Sequence, residues 1–78
     1  MAAIKGLSID VSEADFAITI TMPTALSRPA QNDFLNFLVA KFGPHLSRFR
    51  FQDSKTLYLR TKRNDNDFKV VLTYAEKL

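Results

Sequence analysis

Apolar and polar residues alternate along the first part of the chain. Leu7, Ile9 and Val11 are separated by Ser8 and Asp10, and Phe16, Ile18, Ile20 and Met22 by Ala17, Thr19 and Thr21. A period of two puts successive side chains on opposite faces, so both segments predict strands with one face buried. The polar connector between them, Ser12-Glu13-Ala14-Asp15, is of hairpin length, which makes the pair antiparallel. Pro23 ends the second strand. The period then changes: Phe34, Leu35, Leu38 and Phe42 fall on one stripe of a helix, flanked by Phe37 and Val39, with Gln31, Asn32, Asp33, Asn36 and Lys41 on the polar side. Ser27 is placed to cap this helix and Pro29 sits in its first turn, where a missing backbone N–H costs nothing. Gly43 and Pro44 stop it at Phe42, the glycine by accepting a left-handed conformation and the proline by refusing the helical ladder.

Beyond the helix, alternation returns in Arg48-Phe49-Arg50-Phe51, in Leu57-Tyr58-Leu59-Arg60-Thr61-Lys62 and in Phe68-Lys69-Val70-Val71-Leu72-Thr73-Tyr74. These segments predict three strands, joined by Gln52–Lys55 and by a second polar turn, Arg63-Asn64-Asp65-Asn66-Asp67. The expected order is ββαβββ: a two-layer α+β domain in which one amphipathic helix covers one face of an antiparallel sheet. Residues 1–78 are expected to form a single domain, because 78 residues cannot support two cores. A chain of this size has little stability to spare, so Phe34, Phe37 and Phe42 are assigned to the core.

Period two also fixes what lies opposite the core. With Phe49, Phe51, Leu57, Leu59, Phe68, Val70 and Leu72 turned toward the helix, Arg48, Arg50, Tyr58, Arg60, Lys62 and Lys69 share the outer face with Val71 and Thr73. Charge supports this reading. Residues 1–47 hold three basic and four acidic residues, whereas residues 48–78 hold eight basic and four acidic, and the acids Asp53, Asp65 and Asp67 fall in the turns. The outer face therefore predicts a binding surface for an acidic partner, nucleic acid or protein, with arginine and lysine on phosphates or carboxylates and Tyr58 available for stacking. Outward cations on half-buried strands also serve solubility and blunt edge pairing, with no partner at all. Ala17, Thr19 and Thr21, with Val71 and Thr73, form a weakly polar strip beside the cations on which a homodimer could pack.

Few catalytic constellations survive inspection. The absence of cysteine excludes disulfides, thiolate metal sites and cysteine nucleophiles, and fits a reducing compartment. His45, the sole histidine, follows Gly43-Pro44 and is read as a solvated loop residue, without partners for a metal site or a triad. Asn64 to Asp67 with Glu76 resembles a calcium loop only superficially, since Val70 stands where the bend needs glycine. Glu13 and Asp15 lie in an exposed connector, and two glycines, Gly6 and Gly43, cannot build a phosphate loop. No enzyme, cofactor or metal is expected. Met1-Ala2-Ala3-Ile4-Lys5 lacks the design of a secretory signal and no apolar run spans a membrane, so a cytoplasmic location is expected. A second functional class fits the size and the lack of catalytic groups: a compact inhibitor or adaptor from a phage or mobile element, of the anti-CRISPR kind, which blocks a host complex by surface complementarity.

Overall fold

A computed structural model describes residues 6–77. The expectation placed on Met1-Ala2-Ala3-Ile4-Lys5 falls outside that range. Four strands, β1 (Ser8–Ser12), β2 (Ala17–Thr21), β3 (Leu46–Phe51) and β4 (Thr56–Thr61), form one antiparallel sheet in the order β1-β2-β4-β3. Two helices, α1 (Arg28–Phe42) and α2 (Asp65–Glu76), complete the chain. The two-layer α+β architecture is as expected, and element order agrees from β1 through β4. The last element differs, being a helix where a fifth strand was expected.

Register explains the layering. Ile18 pairs with Leu59 and Ile20 with Leu57, and all four are fully buried. They form one cluster with Leu38 and Phe42 of α1 and with Phe68, Val71 and Ala75 of α2. Both helices thus cover the same sheet face and meet each other, the rings of Phe42 and Tyr74 lying 5.6 Å apart.

Residues 68–74 become helical because two periods compete in them. Phe68, Val70 and Leu72 alternate, but Phe68, Val71 and Ala75 recur at helical spacing, and these three are the buried ones. The start of the helix decides between the two. Asn64 accepts a hydrogen bond from the backbone N–H of Asp67 at 2.8 Å and donates from Nδ2 to the Asp67 carboxylate at 2.6 Å. This cap satisfies one orphan backbone donor, the side-chain bond fixes the Asn64 amide in place, and Asp65 and Asp67 in the first turn suit the helix dipole. Asn64 to Asp67 is therefore a helix start and not a hairpin turn.

Ser27 caps α1 as expected, accepting from Ala30 N at 3.3 Å, with Pro29 in the first turn and the helix ending at Phe42. Gly43 does not adopt the left-handed conformation expected of it. At φ −52° and ψ −41° it continues into a 3₁₀ turn, Gly43–His45, and glycine fits closely there, since a Cβ would lie 2.8 Å from Val39 Cγ1 and push that side chain aside. Left-handed backbone appears instead at Phe16, φ 54°, which closes the β1–β2 hairpin and so lies just outside the strand assigned to it. Its carbonyl accepts from both Thr61 N, at 2.8 Å, and Thr61 Oγ1, at 3.2 Å. Two aromatics expected inside are largely exposed: Phe37 at 50% on α1, beneath Lys41 Nζ, and Phe49 at 40% on the edge strand β3.

Candidate functional site

The sheet face turned away from the helices is covered by no element among the described residues. Because directly opposed residues point to the same side, the register lists its occupants row by row. One row runs Asp10, Thr19, Tyr58, Arg50 across β1, β2, β4 and β3, and the next runs Ser12, Ala17, Arg60, Arg48. A third holds Ser8, Thr21 and Thr56. Arg48 and Arg60 are thus direct cross-strand neighbours, and Arg50 and Tyr58 lie one pleat along.

Four of the six residues expected on this surface come together there: Arg48, Arg50, Tyr58 and Arg60. Lys62 follows the end of β4 and is near enough to Asp67 to act on it electrostatically, which puts it by the start of α2. Lys69 belongs to α2, in the other layer. It borders a cleft of about 370 Å³ with Glu13, Phe16, Asp65 and Phe68. Lys62 departs because β4 ends one residue before it, and Lys69 because α2 replaces the expected strand. The same change removes Val71, which is fully buried, and Thr73, whose hydroxyl donates to Lys69 O, from the neutral strip. That strip is instead made of Ser8, Ser12, Thr19, Thr21 and Thr56, with Ala17 of the same face buried at 5% exposure.

No carboxylate among the described residues pairs with these arginines. Among the described residues the one ion pair within 4.0 Å is His45–Asp67. Asp10, the one acid on the open face, is on the far edge strand, three interstrand steps of about 4.8 Å from Arg50. Asp53 is committed elsewhere: its carboxylate accepts from Lys55 N at 2.8 Å and Thr56 N at 2.9 Å, closing the β3–β4 connection. Those bonds, that to Lys55 N foremost, hold its pKa below the ordinary carboxylate value. The face is consequently polarised, with three unpaired guanidinium groups on β3 and β4 and small hydroxyl side chains toward β1.

His45 is not a free loop histidine. Its Nδ1 lies 2.7 Å from Asp67 Oδ1, joining the 3₁₀ turn to the first turn of α2. An ionised carboxylate can only accept, so Nδ1 carries the hydrogen. This bond, followed by that from Asn64, lowers the pKa of Asp67. The hydroxyl of Ser47 shares its one hydrogen between the carbonyls of Arg60 and Thr61, each at 3.3 Å. The separation of 22 positions between His45 and Asp67 hides their bond from sequence reading; the spacing Asn64-x-x-Asp67 before an apolar run is the signal that would have placed Asp67 at a helix start. Among the described residues no three His, Asp or Glu side chains gather as metal ligands, and no helix is long and apolar enough to cross a membrane.

No protein-family model matches the chain, and neither does a curated protein or a solved structure.

Proposed function

We propose that this protein is a non-enzymatic binding module whose open sheet face engages an acidic protein surface. The observation that carries the reading is the cluster of Arg48, Arg50 and Arg60 on adjacent strands, exposed or half-exposed and without carboxylate partners among the described residues. Like charges directly opposed across strands work against folding, and a planar guanidinium presents a fork that matches a carboxylate in two parallel hydrogen bonds. An acidic partner relieves the first effect and uses the second. Protein is favoured over nucleic acid because the face offers one aromatic, Tyr58, where single-strand binders use a succession of stacking platforms, and because the net charge is only +3.

The test is direct. Labelled poly-glutamate and a labelled single-stranded oligonucleotide are titrated with the protein at near-physiological salt, and again with an Arg50→Glu, Arg60→Glu double variant. The polypeptide is expected to bind and the variant to lose that binding with its thermal midpoint unchanged or raised. Equal polypeptide binding by the variant would falsify the reading, and tighter binding of the oligonucleotide would replace protein with nucleic acid as the partner.

A further inference from the structure

β3 is an edge strand; a register irregularity between Leu46 and Arg48 and the arginines guard its start, while the stretch from Phe49 to Phe51 pairs regularly with β4 and leaves its outer edge open. The strand is six residues long, contains no proline, and is exposed from Ser47 through Arg50. Its pairing with β4 shows which backbone groups face outward. Gln52 N donates to Thr56 O, and hydrogen-bonded and non-bonded pairs alternate along an antiparallel ladder, so the N–H and C=O groups of Phe49 and Phe51 point away from β4. Those same two residues turn their rings toward the helix layer. Phe51 packs against Phe34, while Phe49 stays 40% exposed. Beside them a cleft of about 490 Å³ opens between β3 and the first half of α1, floored by Leu35, Phe49 and Phe51 and rimmed by Arg28, Gln31 and Asn32.

We infer that β3 accepts a fifth, extended strand from the partner, and that this strand alternates acidic with apolar residues. An added strand lies one interstrand step outside β3 and places alternate side chains on the two faces. On the helix side they meet the rings of Phe49 and Phe51, which take apolar groups, at the apolar floor of a cleft whose other walls are polar. On the open side they stand opposite Arg48 and Arg50, which take carboxylates. Charge disfavours the simplest alternative occupant, a second copy of this chain: pairing β3 with itself about a two-fold axis through Phe49 or Arg50 sets arginine beside arginine. This inference rests on the reading that the partner is acidic, and it adds the partner's conformation and sequence pattern.

The probe is a short peptide in which Glu and Val alternate, compared with a peptide of equal composition whose glutamates and valines are segregated into two blocks. The alternating peptide is expected to bind about tenfold tighter, since only it satisfies both faces at once. On binding, amide exchange at Phe49 and Phe51 in the unaltered protein should slow by about tenfold or more, because their outward N–H groups gain acceptors. A Phe49→Pro variant, which removes one outward N–H but no bond to β4, should lose the preference for the alternating peptide and keep its affinity for poly-glutamate. Equal affinity for the two peptides, or unchanged exchange at Phe49 and Phe51, would overturn strand addition while leaving the arginine face standing. Dimerisation through β3 in solution would also overturn it. Failure of poly-glutamate and both peptides to bind would instead remove the functional reading and this inference together.

Discussion

Phe16 is held in a conformation that its side chain opposes. A non-glycine residue in the left-handed region costs about 1–2 kcal/mol, and most hairpins avoid that cost by placing glycine or asparagine there. Here the residue is fixed from two directions. Its carbonyl is taken by Thr61 N and Oγ1, and its ring stands edge-on to Phe68, with centroids 5.9 Å apart, while the Arg63 guanidinium lies 5.7 Å from its ring centroid. Packing therefore outweighs strain, and the two effects separate by mutation. Phe16→Ala loses the packing and keeps the strain; Phe16→Gly loses the packing and relieves the strain. Both variants should unfold at lower urea than the parent, with the alanine variant the less stable by about 1 kcal/mol. A glycine variant less stable than the alanine variant would show that the backbone at this position is not strained. Sequence alternation gives no hint of this, because an apolar residue flanking a strand reads as part of it.

At the scale of elements, the join between the 3₁₀ turn and α2 depends on a carboxylate. Asp67 bonds to His45 Nδ1 and to Asn64 Nδ2, and its pKa lies below the ordinary value first because of the histidine and then because of the asparagine. The sign follows from linkage: a carboxyl whose folded-state pKa is depressed contributes stability that is present above its unfolded value, about 4, and is lost as pH falls through the folded value. Asp67→Asn should accordingly lower the urea midpoint at neutral pH and flatten its decline below about pH 4, bringing parent and variant together in acid. Parallel curves across that range would show that the bond contributes nothing. In a His45→Gln variant the Asp67 carboxyl should titrate closer to the ordinary carboxylate range. The same join marks the boundary of what pattern reading could reach. β1, β2, α1 and the first two strands after it were legible because each has one dominant period, with Pro23 stopping β2, Gly43-Pro44 stopping α1 and polar connectors bounding the other three. α2 was not, since Val70 and Val71 carry strand propensity and Phe68 fits both periods; Asn64 and Ala75, outside the alternating run, decide the matter. Alternation put Arg48, Arg50, Tyr58 and Arg60 on one face within strands that exist; Lys62 was misplaced by alternation carried one residue past the end of β4, and Lys69 by alternation read into residues 68–74, which are helical.

The molecule as a whole carries a conflict between folding and binding that salt should expose. Arg48 faces Arg60 directly, Arg50 lies beside them, and no acid among the described residues offsets the three. A like-charged pair directly opposed across strands costs about 0.2–1 kcal/mol, and in a domain of this size 1 kcal/mol moves the thermal midpoint by about 4–8 °C. Screening lengths shrink from about 10 Å at 0.1 M salt to about 3 Å at 1 M, so sodium chloride relieves the repulsion. The midpoint of the parent protein should therefore rise by a few degrees between low and molar salt, and an Arg60→Thr variant should show most of that gain already at low salt and little further response. Binding of an acidic polypeptide depends on the same charges with the opposite sign, and its affinity should fall as salt is added. Calorimetric scans and titrations on one pair of proteins across one salt series measure both slopes. Equal salt responses in parent and variant would mean that the arginines do not repel appreciably, and would remove the argument that a partner's carboxylates relieve a cost built into the fold.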